Sequence, residues 1–323
     1  MQTHDISEEE VKKFKNLLEH LKQIAEDGVT PLIEKYILSM LDYALPFFSH
    51  LVLEDDFYEL HRLTINKKVI GKNKRIHDIK FLKYPPSENV VNYGRCNYPK
   101  QSIFYGSFFH MTAINEMKPR IGDLVTFSVW RAKTGTTLKY CPIFKNQPPM
   151  FKNPDPNKRT INPRTFKINE LYEEKIKDYP TYMRQQIDEL VQFVADAFTK
   201  SVNPKNSLDY IFSAYFSNKI FNEFEKGNIE AIYYPSVQDK LSFENVSIKP
   251  DVLEKKYDLV EVRDDVINND PSTGCPGYWM DGLSTCKSFD YAKGKILWDP
   301  NKIHQPNEKM LDFKLRYGID MSD

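Results

Sequence analysis

Cysteine is scarce in this chain: Cys96, Cys141, Cys275 and Cys286 are the only four among 323 residues. No two stand at CxxC spacing and no histidine lies at finger spacing from them. This argues against a structural zinc site or a disulfide framework and fits a reducing compartment. A run of about 18 apolar residues, the length needed to cross a bilayer, is also missing. The opening MQTHDISEEEVKKFK is charged rather than apolar, so neither a membrane partner nor a secretory signal is expected, and the cytoplasm is the expected location. Charge of one sign is lacking too, since 45 Lys and Arg balance 45 Asp and Glu. Without a basic field to condense on phosphates, nucleic acid is not expected as a partner. Walker, GxGxxG, HExxH and GxSxG motifs are all absent. KTGTT at 133–137 looks like a phosphate loop only superficially, because it lacks the spacing and the following helix.

What is present is a globular composition, 41% apolar and 13% aromatic, rich enough to bury a core. SEEEVKKFKNLLEHLKQIAEDG reads as an amphipathic helix, opened by a Ser7/Glu10 capping box and closed at Gly28. TPLIEKYILSMLDYALPFF continues in helical period, with Thr30 as N-cap and Pro31 in the first turn. From about residue 57 the texture shifts to short apolar segments punctuated by Pro, Gly and Asn, the pattern of strands and turns. FYELHRLTIN and QSIFYGS read as strands, and TAINEM as one or two helical turns. GDLVTFSVWRAKTGTTLKYCPIF reads as a hairpin around Thr134-Gly135.

Residues 146–168 hold five prolines and little periodicity, which suggests a surface excursion. Helical period returns in YMRQQIDELVQFVADAFTK and, after Ser207, in SLDYIFSAYFSNKIFNEF. IEAIYYPSV reads as a buried strand ending at Pro235-Ser236. SFENVSIKPDVLEKKYDLVEVRDDV reads as two strands with a turn between them, and the polar tail as a small β appendage.

Three residues suit the chemistry of a nucleotide whose N-glycosidic bond is to be broken. Arg95, in GRCNYPKQSIFYGS, can hold a diphosphate through its planar fork. Tyr105 offers a ring face and a hydroxyl. Glu116 can support positive charge at an anomeric carbon or hold a ribose hydroxyl. Each has a plain alternative, an ion-paired turn arginine, a core tyrosine and a surface helix charge, and no spacing rule selects the trio.

YGRCNYPKQSIFYGS, TAINEM, IYYPSV and NVSIKP, in that order, resemble the RES domain family over about Phe57 to Asp258. The resemblance implies an α+β fold similar to ADP-ribosyltransferases: a split mixed β-sheet with flanking helices around an NAD cleft. It implies a division into an N-terminal helical extension (1–50), a RES domain (51–262) with a Pro-rich insertion near 146–168, and a C-terminal extension (263–323). It also implies an NAD-degrading toxin, hydrolytic or phosphorolytic, with NAD as substrate and no metal. The partner would be a helix-turn-helix antitoxin or a second copy of the chain. Carried over, Arg95, Tyr105, Glu116 and Ser236 are the expected catalytic set. Arg62, Arg95, Asn97, Tyr105 and Ser236 are expected to bind NAD, with Arg62 supported only by its place in ELHRL. ADP-ribosyl transfer to a macromolecule and a silent NAD-binding or interaction module remain the alternatives.

Overall fold

The computed structural model describes residues 6–45, 51–144, 163–202, 207–238 and 243–321. The described helices are α1 (Glu8–Glu26), α2 (Pro31–Ala44), α3 (Asn66–Ile70), α4 (His110–Met117), α5 (Pro163–Ile176), α6 (Thr181–Thr199), α7 (Ile211–Asn222), α8 (Pro250–Lys256) and α9 (Asn307–Tyr317). The strands are β1 (Leu53–Asp55), β2 (Glu59–Ile65), β3 (Phe104–Ser107), β4 (Leu124–Ala132), β5 (Leu138–Pro142), β6 (Ala231–Pro235), β7 (Glu244–Ile248), β8 (Tyr257–Asn269), β9 (Trp279–Cys286), β10 (Phe289–Asp290) and β11 (Lys295–Ile296). The fold class is mixed α and β, with parallel and antiparallel strand pairing and helices beside the strands. The chain divides into two compact units. The first takes the described residues of Met1–Glu54, Ser87–Gln101 and Lys139–Ser242, the second those of Asp55–Pro86, Ser102–Leu138 and Phe243–Asp323.

In the first unit the two N-terminal helices form as their caps dictate. The Ser7 hydroxyl accepts from the Glu10 amide at 3.3 Å while the Glu10 carboxylate accepts from the Ser7 amide at 2.8 Å. These two bonds satisfy amides that helix geometry leaves without partners. Val11, Phe14, Leu18, Leu21 and Ala25 then fall on one buried stripe, and α1 packs on α6. Gly28 makes the turn into α2 at φ +113°, a conformation that disfavours any side chain. The Thr30 hydroxyl accepts from the Ile33 amide at 3.3 Å. Aromatic residues join α6 to α7, with Phe193 edge-on to Phe212 and Phe216. Strands β5 and β6 pair in parallel, Cys141 opposite Ile232, and burial pushes the Cys141 thiol well up.

The second unit is built on strands in the order β7-β3-β2-β4-β8-β9, each pair antiparallel. Successive side chains of a strand point to opposite faces. On one face Leu63, Ile65, Val125, Phe127 and Ile267 pack against Ala113 and Ile114 of α4. On the other, Leu124, Val266 and Leu283 pack against Phe313 of α9. Gly122, at φ +82°, lies so close to the Tyr317 ring of α9 that a Cβ there would collide with it.

Three expectations are corrected. The segment read as a hairpin forms β4 and β5, but β4 is paired on one edge by β2 and on the other by β8, whereas β5 pairs with β6. With both edges of β4 occupied, a hairpin partner has no place to bond. The turn expected between β7 and β8 is the helix α8, whose Pro250 sits in the first turn, where a missing amide proton does no harm. The excursion expected at 146–168 lies outside the described residues up to 162. From Pro163 the chain is helical, and Ile168, Tyr172 and Ile176 are buried at four-residue spacing. Strands β10 and β11 form the small ladder in the tail, and β9 joins β8 in the main sheet of this unit. The expected boundaries at 50 and 262 do not coincide with those of the two units; residue 262 lies inside β8.

A buried charged cluster anchors the second unit. Arg75 Nε donates to Asp264 Oδ2 at 3.1 Å, and the Thr126 hydroxyl donates to Asp264 Oδ1 at 2.6 Å. A further guanidinium N–H of Arg75 reaches the Ser284 hydroxyl, and the guanidinium lies 4.4 Å from the Trp298 ring centre. Desolvation raises the Asp264 carboxyl to about 6, more than the Arg75 charge and the Thr126 hydrogen bond lower it. A carboxyl raised on folding favours the folded state below its unfolded value, and that contribution is lost as pH rises through about 6. Arg75→Met removes the compensating cation, a change that typically costs about 3–5 kcal/mol in a buried pair. Thermal melts should therefore show a large destabilisation at pH 7.5 and a smaller one at pH 5, where Asp264 takes up a proton. An equal deficit at both pH values would contradict this account.

Candidate functional site

Two groups of residues carry the candidate chemistry, one in each unit. In the second unit, β3 is short and leads within three residues into α4. Tyr105 stands opposite Ser247 of β7, and Ser107 opposite both Asn245 of β7 and His61 of β2. By strand alternation His61, Tyr105, Ser107, Asn245 and Ser247 share one face, the face on which α4 lies. His110, Ala113, Ile114 and Met117 follow helical spacing along α4, with Glu116 flanking this stripe. The Ser107 hydroxyl donates to Asn245 Oδ1 at 2.6 Å, and Asn245 Nδ2 donates to Glu116 Oε1 at 2.8 Å. A half-buried carboxylate is thereby oriented by a carboxamide that is itself oriented by a buried hydroxyl. Ser247 is fully buried, and its hydroxyl has no hydrogen-bond partner among the described residues. Leaving such a group unsatisfied costs about 1–3 kcal/mol.

Farther along the same face a groove of about 230 Å³ opens over β2, β4 and β8, floored by Phe127 and Val129. Glu59, His61, His110, Arg131, Glu261 and Arg263 line it. The Arg131 guanidinium donates to Glu59 at 2.8 Å, and Glu59 Oε1 lies 3.6 Å from His61 Nε2. The His61 and His110 rings meet edge-on with centres 6.3 Å apart. Desolvation lowers the His61 imidazole from its ordinary value, Glu59 opposes that shift and His110 adds to it.

Arg62, next to His61 in the chain, serves the other face. Its guanidinium donates to the Tyr105 carbonyl at 2.8 Å and lies 5.6 Å from the Phe104 ring centre. In this arrangement Arg62 braces the backbone of the strand that carries Tyr105.

In the first unit, Gly94–Asn97 close a tight turn by reciprocal backbone bonds, 3.0 Å from the Gly94 amide and 3.4 Å from the Asn97 amide. Asn97 is buried and stiffens the turn, its carboxamide donating to the Tyr98 carbonyl at 3.0 Å and the Asn92 carbonyl at 3.3 Å. Arg95 projects from this turn to the end of α6. Its guanidinium donates to the Phe198 carbonyl and, at 3.4 Å, to the Lys200 carbonyl, and lies 5.2 Å from the Tyr210 ring centre. Cationic donors are favoured there, because the last carbonyls of a helix lack internal partners and carry partial negative charge. Ser236 follows β6 and is fully buried.

The structure thus gathers Tyr105 and Glu116 on one face of the second unit and puts Arg62 across the same sheet, while Arg95, Asn97 and Ser236 belong to the first unit. Sequence reasoning missed Ser107, Asn245, His61 and His110. Three of them lay within the quoted segments, His61 in ELHRL, Ser107 in QSIFYGS and Asn245 in NVSIKP. The signal for His61 was the alternation of polar Glu59 and His61 with apolar Leu60. Among the described residues no group of three or more His, Cys, Asp or Glu is arranged to hold a metal ion. Compared with known proteins, the chain finds no matching family model and no matching curated protein.

Arg95→Ala should weaken the last turn of α6 by about 1.5–3 kcal/mol, the range for a charged hydrogen bond. Hydrogen exchange of the amides preceding Lys200 should speed up accordingly. Unchanged exchange there would show that Arg95 does not hold the helix end.

Proposed function

We propose that this protein cleaves the bond between nicotinamide and ribose in NAD, as a glycohydrolase or phosphorylase acting as a toxin or defence effector. The observation that supports this reading most is the Glu116 carboxylate, held by Asn245 and Ser107 on the face that carries Tyr105. The pyridinium of NAD leaves as a neutral ring, so the reaction asks for no proton donor at the leaving group. What it asks for is negative charge near the ribose carbon, where positive charge develops. At about 4 Å and an effective dielectric of about 20, one carboxylate contributes roughly 4 kcal/mol. That corresponds to about a thousandfold in rate.

In this reading Tyr105 packs on the nicotinamide or its ribose. The NAD-binding roles that the resemblance to RES domains gives Arg95, Asn97 and Ser236 rest on that resemblance alone, and Arg62 acts through the Tyr105 carbonyl it holds. The motif order shared with RES domains favours those roles. An enzyme that drains NAD needs restraint in the cell that makes it, which favours a helix-turn-helix antitoxin or a second copy of the chain as partner. The cysteines, none joined in a disulfide, suit a reducing cytoplasm. No described helix is long and apolar enough to cross a membrane.

The test is incubation of the purified protein with NAD, with and without phosphate, followed by chromatography of the products. Nicotinamide with ADP-ribose, or with its 1-phosphate, is the expected result, and Glu116→Gln should lower turnover by about 10²–10³-fold. Intact NAD in the presence of folded wild-type protein overturns the reading, and NAD consumed only when a macromolecular acceptor is added replaces it with ADP-ribosyl transfer.

A further inference from the structure

We propose that His61, positioned by Glu59, is the general base that takes the proton from the water replacing nicotinamide. The assignment rests on the NAD-cleaving reading and adds to it the residue that activates the acceptor. Three geometric facts lead to it. His61 lines an open groove on the sheet face that carries Tyr105 and the Asn245–Glu116 pair. The groove's volume of about 230 Å³ holds several waters, each needing about 30 Å³. Finally, β2 lies two strands from β7, and neighbouring strands are about 4.8 Å apart. His61 and Asn245, paired on either side of Ser107, therefore stand roughly 10 Å apart along the sheet.

The supports around the imidazole suit a base. Arg131 fixes the Glu59 carboxylate at 2.8 Å, and that carboxylate lies 3.6 Å from Nε2 of His61. A base held by a third group is the arrangement expected of an activated acceptor site, and such contacts are often long before substrate binds. The charged groups around the ring are Glu59 on its own strand, Arg131 on β4, Glu261 and Arg263 on β8, and titratable His110 on α4. Burial keeps the imidazole neutral to lower pH than usual, leaving it able to accept a proton at neutrality.

The step balances. The water oxygen bonds to the ribose C1 as the C1–N bond breaks, and the electron pair of that bond neutralises the pyridinium, releasing nicotinamide. One water proton passes to His61 and then to solvent, leaving ADP-ribose with a hydroxyl at C1. Azide, already an anion at neutral pH, needs no base and would form a C1–N bond to give ADP-ribosyl azide.

The experiment compares NAD cleavage by wild type, His61→Gln and Glu59→Gln, with and without azide, alongside thermal melts. For His61→Gln hydrolysis should fall by about 10²–10⁴-fold, and azide should restore nicotinamide release with ADP-ribosyl azide as product. Glu59→Gln removes a charge that holds the His61 proton, so the acid limb of its rate profile should move to lower pH. Wild type inert toward NAD with every acceptor overturns the functional reading and this assignment together. An active wild type matched by His61→Gln overturns the assignment alone, as does a His61→Gln variant that melts like wild type yet is not rescued by azide. If His61→Gln does not fold, Glu59→Gln decides: an unmoved acid limb overturns the proposal.

Discussion

The second unit depends on one strand. β4 is hydrogen-bonded along both edges, by β2 and β8, and Leu124 through Ser128 are buried without interruption. A strand so enclosed has no freedom of register, because a slip of one residue would exchange its two faces. Its neighbours inherit that constraint. Val125 and Phe127 fix the face covered by α4, while Leu124 and Thr126 fix the face that holds α9 and the Arg75–Asp264 cluster. Register at β4 thus determines which side of β2 meets α4, and so which residues share a face with Glu116.

The sharpest result of that constraint is the separation of His61 from Arg62. The two are consecutive, so the pleat sends them to opposite faces. His61 meets the groove and His110, whereas Arg62 meets Phe104 and the Tyr105 carbonyl. An arginine bonded to the backbone of the strand that carries Tyr105 influences the site through position, whatever else it binds. Asn245 acts in the same way on Glu116, fixing the direction of a carboxylate whose usefulness depends on where its charge is aimed.

In the first unit Arg95 answers a local demand before any ligand is considered. The end of α6 presents carbonyls without helical partners, and a guanidinium backed by the Tyr210 ring meets that demand. The Gly94–Asn97 turn that carries it is closed by its own backbone and stiffened by Asn97. The conspicuous GRCN motif is therefore a structural unit in its own right. A role in binding diphosphate would be added to that duty.

Local chemistry was legible in the sequence: the Ser7/Glu10 and Thr30 caps, the helical stripes of α1 and α6, the strands β2, β3 and β6, and the turn at Gly94. In each case the signal lies within a few residues, and the forces that act on it are short-ranged. The partners of β4 and β5 were not legible, because pairing is chosen by burial over the whole sheet and a glycine turn between two strands does not oblige them to bond. The helical start at Pro163 was hidden by the prolines before it. The site divides in the same way. Tyr105 and Glu116 were readable as residue types within motifs, but the Ser107–Asn245–Glu116 chain joins positions more than a hundred residues apart in sequence. The sequence alone determined which side chains could do chemistry, and the tertiary structure decided which of them share a face, since only strand register brings distant residues within hydrogen-bonding reach.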